Sequence, residues 1–251
     1  GVGTHLKYYV KQGDDFNNIT PIRKTSTNSI TFAATDGSST VVVTDSSHGA
    51  VVGDTVTFAQ AVSLGGVITA DVLNQAYIVN QVLTANTYNI IAKDTSGSTV
   101  TANSSDSGNG GSGVDGSYEI NVGLDIYVKG TGWGAGTWGA GGFGSVSTID
   151  PVNQLRLWSQ DNFGDDLISN IRSGGIFYWD ESEGVTERAI PFTSLTNASA
   201  PPTAALQIMV SDIDRHIICF GANAIGESTV DPLFVRWSDQ ESSIDWTPTS
   251  T

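Results

Sequence analysis

The apolar residues of this chain never settle into the three-and-four spacing of an amphipathic helix. They fall in short runs rich in Val, Ile and Thr, at 29–32, 40–44, 55–58, 76–82 and 87–91, separated by Asp36-Gly37, Gly53-Asp54 and Gly65-Gly66. β-Branched side chains lose rotamer freedom in a helix but pack well on a pleated surface, and glycine pairs turn the chain tightly, so the pattern predicts many short strands. With 251 residues, 39% of them hydrophobic and 29 of them glycine, an all-β protein able to bury one or two cores is expected.

The texture of the sequence divides it. Residues 1–24 alternate as a strand pair, with Leu6, Tyr8 and Val10 on one face and Gly13-Asp14 at the turn, and form a hairpin of a larger β body. Residues 25–92 hold the dense short strands and read as a small β-sandwich or barrel inserted into that body. Residues 93–117 contain little but Ser, Thr, Gly, Asn and Asp around Val100 and Val114, too little apolar area to offset ordering entropy, and read as a linker or loop. Within them, 110–115 partly matches a glycine-aspartate calcium repeat; one copy, followed by Ser117 where a large apolar residue belongs, reads as loop instead.

Residues 118–251 complete the body. Their arm at 130–144, GTGWGAGTWGAGGFG, places Trp133, Trp138 and Phe143 five residues apart, which suits neither a helix nor a strand. Bare glycine chain gains little unless such rings find pockets, either in its own domain or on a neighbouring subunit, so these three are the candidates for subunit contact. Three apolar stretches, 155–159, 176–180 and 234–238, end in Trp followed by Ser or Asp. β-Propeller strands commonly close this way, with the ring packed between sheets, so Trp158, Trp179 and Trp237 are expected in the core, together with Cys219 of His-Ile-Ile-Cys-Phe. At about 40 to 50 residues per blade, 150–251 holds two, hence an incomplete or irregular β-propeller-like body.

Charge narrows the partners. Eleven basic against 26 acidic residues leave a net charge of -15, the opposite of a phosphate-gripping surface, and 150–251 alone carries 15 Asp/Glu against 5 Lys/Arg. Asp161, Asp165 and Asp166 form one acidic group, and Asp180, Glu181, Glu183 and Glu187 another. Either could hold a cation or supply a glycosidase pair, but both lie in turn-like sequence beside glycine, where carboxylates are ordinarily solvated. Their collective use would be an acidic wall past which DNA slides without binding. His216 and Cys219 stand three apart, on opposite faces of a strand, and so form no nucleophile-base pair. No phosphate loop, nucleophile elbow, zinc pair or dinucleotide fingerprint occurs, so no catalytic residue, metal or cofactor is expected. The single cysteine precludes an intrachain disulfide and suits assembly in a reducing cytoplasm; neither a membrane span nor a leader is visible, and Gly1 in place of Met suggests trimming or a longer chain.

Gly3-Thr4-His5-Leu6, DFNNITPIR at 15–23, the glycine-aromatic arm, LRLWSQDNFGDDLISNIRSGGIFYWD at 155–180 and FVRWSDQESSIDWTPT at 234–249 resemble the tail tubular or nozzle (DNA-stabilisation) proteins of tailed bacteriophages. The resemblance covers 1–24 and 118–251, and 25–92 is similar to a small β module that phage structural proteins carry as an insertion. It implies an irregular β-propeller, six copies forming a nozzle below portal and adaptor, retention of packaged DNA that passes without tight binding, and residence in the virion tail. In that family the pattern continues beyond Trp246-Thr247-Pro248 through further blades, so the resemblance implies either a fragment or a chain cleaved from a longer one. Two other readings stand beside it. One is a receptor- or carbohydrate-binding tail module stacking Trp133, Trp138 and Trp246 on sugars; the other is a propeller glycosidase using Asp165, Asp166 or Glu183.

Overall fold

The computed structural model describes residues 1–4, 7–121 and 157–248 and is all-β, its helical content confined to single turns. The chain divides into two compact units, 1–21 with 122–251 and 22–121. The first opens with a meander of β1 (Val2–Gly3), β2 (Tyr8–Gln12) and β3 (Asp15–Asn18). The turn between β2 and β3 pairs Gln12 with Asp15, and Gly13 there adopts φ of 62°, a left-handed conformation costly for other residues.

Residues 22–121 build a sandwich. Its strands are β4 (Ile22–Ser26), β5 (Thr31–Ala34), β6 (Thr40–Thr44), β7 (Thr55–Ala59), β8 (Ala76–Ile78), β9 (Gln81–Thr84), β10 (Thr87–Ile91), β11 (Asp106–Asn109) and β12 (Asp115–Glu119), with one helical turn, α1 (Ala70–Leu73), before β8. They form a five-stranded sheet in the order β11-β5-β6-β10-β9 and a four-stranded sheet in the order β4-β12-β7-β8. Strict alternation sends Val41 and Val43 of β6, and Tyr88 and Ile90 of β10, into a single core with Val56, Phe58, Tyr77 and Tyr118 of the opposite sheet. That shared core is what makes the two sheets one sandwich.

A polar network crosses this core. Asp45 accepts hydrogen bonds from Ser26 Oγ and Tyr118 Oη, both at 2.7 Å, and from Lys24 Nζ at 3.3 Å, while the Tyr88 and Tyr118 hydroxyls meet at 2.9 Å. Arg23 pairs with the buried Asp54 at 3.0 Å. Buried charges are tolerable only when paired and hydrogen-bonded in this way.

The linker expected at 93–117 is instead part of the sandwich, and its strands begin at Ile22 rather than residue 25. β12 is a central strand, bonded to β4 on one side and β7 on the other, and Val114 just before it and Tyr118 within it are fully buried. Composition misleads here because β12 is held by pairing on both edges. Its Gly116 is needed for close approach: a Cβ there would lie 2.3 Å from Ile30 Cδ1.

The first unit resumes with β13 (Trp158–Phe163), β14 (Asp166–Ile171), β15 (Ile176–Trp179) and β16 (Ile190–Pro191) as one antiparallel meander, and β17 (Gln207–Val210), β18 (Ile217–Phe220) and β19 (Val235–Trp237) as another. Ile168, Ile176, Phe192, Ile208, Ile217, Cys219 and Trp246 share one core between them. Two consecutive blade-like sheets around a common core are compatible with a propeller-like body, and no closed barrel occurs among the described residues.

The three tryptophans expected in that core have three different fates. Trp179 is buried, and its indole N–H donates to Glu187 O at 3.2 Å. Trp158 opens β13 instead of closing a strand and is half-buried, stacked on Tyr8 at 4.5 Å with Gly3 against its ring. Trp237 is 62% exposed, contrary to expectation. Residues directly opposite in a sheet share a face, and β19 pairs Arg236 with buried Cys219 and Trp237 with Ile218, so the register turns the arginine inward and the tryptophan outward.

Burial holds the Tyr88 and Tyr118 hydroxyls well above the ordinary phenol value of 10; Tyr88 and Asp45 add to the rise at Tyr118, while at Tyr88 the hydrogen bond with Tyr118 offsets part of it. A raised phenol pKa means the folded state favours the neutral form, so its contribution is complete below about pH 10 and is lost as pH rises past that value. We therefore expect a fragment of residues 22–121 to fold alone and to show no phenolate absorbance until it unfolds above about pH 10. Ionisation of Tyr88 and Tyr118 at pH 10 with an intact circular dichroism spectrum would contradict the buried network.

Candidate functional site

The body gathers acidic side chains at one end of its four-stranded sheet. Gly164 and Asp165 form the turn between β13 and β14, where Gly164 adopts φ of 72°, and Phe163 pairs with Asp166 across it. β14 and β15 pair Leu167 with Trp179, which brings Asp166 beside Asp180 and the 3-10 turn Glu181–Glu183. Asp166 accepts the Glu181 N–H at 3.0 Å and the Tyr178 hydroxyl; Asp180 accepts the Ser182 N–H at 2.9 Å and caps the turn. The two acidic groups distinguished in the sequence are thus one cluster of Asp165, Asp166, Asp180, Glu181 and Glu183. Burial, then the hydrogen bond to Asp166 and the charges of Asp166 and Asp180, push the Tyr178 phenol above its ordinary range.

Asp161 stands apart from this cluster. It lies within β13, and its Oδ2 accepts the Val210 N–H at 2.8 Å, while Ser159 Oγ accepts the Ile208 N–H at 3.1 Å. Two side chains of β13 therefore satisfy the outer edge of β17, joining the sheets where no strand ladder does. Asp165, Glu181 and Glu183 are exposed. Among the described residues, no group of three or more His, Cys, Asp or Glu side chains is arranged to hold a metal ion.

Cys219 is fully buried, and burial pushes its thiol up to about 12. His216 is engaged elsewhere, its Nδ1 2.8 Å from Ser238 O. Such a thiol is a packing group and not a nucleophile.

Sequence reasoning missed two buried asparagines. Asn170 Nδ2 lies within 3.2 Å of the carbonyls of Ile171, Gly174, Gly175 and Ala205, and its Oδ1 accepts from Ser159 Oγ at 3.1 Å. Asn223 Oδ1 accepts the N–H groups of Thr203 and Ala204, and its Nδ2 donates to Ala224 O and Glu227 O. For Asn170 the available signal was an Asn inside an apolar strand, where it is otherwise depleted; Asn223 lies in the loop after β18 and had no such signal.

The outer face of the second meander is apolar. Met209, Phe220, Val235 and Trp237 are 39–62% exposed on it, while Ile208, Val210, Ile217 and Cys219 fill the inner face. Trp246, a candidate for stacking on sugars, is buried edge-on against Phe192 at 5.8 Å and is closed to such contact. Trp133, Trp138 and Phe143 lie outside the described residues.

No protein-family model and no curated protein matches this chain. Among solved structures it is similar to the phage phi92 endosialidase, at 14% identity and a TM-score of 0.27, over 88% of this chain and 32% of that one. The chain thus spans about a third of the length of that structure.

Replacing the fully buried Asn170 with Ala strands several carbonyls and the half-buried Ser159 hydroxyl, and each buried polar group left unmade costs about 1–3 kcal/mol. We expect a lowered urea midpoint for Asn170→Ala and earlier Cys219 labelling by a disulfide reagent. In the unmodified fold Cys219 should resist the reagent at pH 8. Rapid native labelling would show that the second meander opens readily.

Proposed function

We propose that this chain is a structural, non-enzymatic component of a bacteriophage virion tail or head-to-tail nozzle, acting through contact with neighbouring subunits. The observation that carries the reading is the apolar outer face of β17–β19, since soluble monomers rarely leave a contiguous patch of large apolar side chains in water. The sequence strings at 1–24 and 155–249 that resemble nozzle proteins support the same reading. The partners would be further copies of this chain, six by the family resemblance, and the portal and adaptor ring, assembled in the host cytoplasm. No helix among the described residues is long and apolar enough to cross a membrane.

The acidic strand end fits this role as a surface and not as a catalytic centre. Asp166 and Asp180 hold backbone N–H groups, and exposed Asp165, Glu181 and Glu183 add negative charge that would let DNA slide past without adhering. A second reading, a receptor- or carbohydrate-binding tail module, rests on the exposed ring of Trp237, which could stack on a sugar.

Electron microscopy and sedimentation of the protein, alone and with its adaptor ring, separate the two. The structural reading expects closed rings, favoured by salt, which screens repulsion among copies of net charge -15. A monomer under every condition would remove it. Binding on a glycan array that disappears in Trp237→Ser would establish the second reading in its place.

A further inference from the structure

We infer that the free edge of β19 is a strand-addition site, taking an extended segment of another polypeptide with apolar residues at alternate positions and Lys or Arg at its ends. The inference deepens the assembly reading by naming the partner's chemistry, and it rests on that reading only for the partner being a protein.

The pairing pattern shows which main-chain groups are free. Ser211 N–H donates to His216 O at 2.8 Å, so alternate residues Ile218 and Phe220 turn their main-chain groups toward β17, and Ile217 and Cys219 turn theirs toward β19. Ser238 N–H donating to Ile217 O at 3.0 Å agrees with this. Arg236 therefore bonds Cys219, and the N–H and C=O of Val235 and Trp237 point away from the sheet, with no partner among the described residues. The opposite edge of the same sheet is occupied, because Ser159 and Asp161 take the outward N–H groups of Ile208 and Val210.

Edges left open in soluble proteins are usually blunted by Pro, Lys or a bulge. The first meander follows that rule, ending on the two-residue β16 with its Pro191. β19 does not: Leu233, Phe234, Val235 and Trp237 are all exposed along it, with no proline or lysine between 233 and 238. The outward rows Phe220–Val235 and Ile218–Trp237 would continue onto an added strand, and apolar or β-branched residues opposite Val235 and Trp237 would extend them.

Charge selects the occupant. Asp231 precedes the edge and Asp239 and Glu241 follow it, all exposed and none paired with a cation among the described residues. A second copy added antiparallel would set Asp231 against Asp239 or Glu241, like charges facing each other between chains of net charge -15. A different strand with basic ends turns the same residues into attraction.

The test uses a labelled nine-residue peptide, valines alternating with threonines between terminal lysines, titrated into the protein at low salt and read by fluorescence polarisation. We expect saturable binding, weakened at least tenfold when glutamates replace the lysines. Val235→Pro removes an outward N–H while leaving the β18 pairing untouched, and should also weaken binding at least tenfold with Cys219 still protected. Trp237→Lys serves as a second variant, since it sets a positive charge against the lysine ends. Absence of saturable binding, equal binding of the glutamate peptide, or undiminished binding by both folded variants would overturn the inference. Self-association abolished by Val235→Pro would overturn the choice of occupant in favour of a second copy. Peptide failure with rings still forming sinks this inference alone, and peptide binding without rings sinks the assembly reading alone.

Discussion

The body of this protein depends on side chains doing the work of strands. Its sheets are short, of two to six residues per strand, and short strands leave many backbone groups without a ladder partner in regions that exclude water. Ser159 and Asp161 close the outer edge of β17, Asn170 collects four carbonyls from the turn after β14 and from Ala205, and Asn223 ties the chain before β17 to the loop after β18. Remove these acceptors and donors, and the two meanders share apolar surface but lose the contacts that fix their spacing. Hydrophobic burial alone is non-directional and could not do this.

The sandwich at 22–121 solves the same problem differently. Its inner strands β5, β6, β7, β10 and β12 are paired on both edges, and its polar side chains are concentrated in one buried network around Asp45, Tyr88 and Tyr118. Such networks favour one arrangement of the core over its alternatives when every member is paired, because an unpaired member is costly at low dielectric.

The all-β class was legible in the spacing of β-branched runs, and the burial of Trp179 and Cys219 in their apolar settings. Register was not legible. Phe234-Val235-Arg236-Trp237 is apolar on both faces but for the arginine, and nothing local shows that Arg236 lies opposite Cys219. Strand β12 was hidden for a related reason: Asp-Gly-Ser-Tyr-Glu looks like loop by composition, and only its position between β4 and β7 makes it core. The merging of two acidic groups into one cluster follows from the pairing of Leu167 with Trp179, a contact twelve residues apart in sequence. The four-carbonyl seat of Asn170 is likewise set by tertiary placement, since Ala205 comes 35 residues later.

The pairing of Ile22 with Glu119, on strands β4 and β12, has a kinetic meaning for the whole chain. Residues facing each other on adjacent strands lie about 5 Å apart, so the folded sandwich delivers its exit strand almost where its entry strand began. Closing an unstructured loop of a hundred residues carries an entropic cost that grows with the logarithm of its length. Once the sandwich has folded on its own local hairpins, that long loop shrinks to the span of a single strand pair. The chain that must still be closed for Tyr8 of the N-terminal meander to stack on Trp158 of β13 is then shorter by the hundred residues of the sandwich.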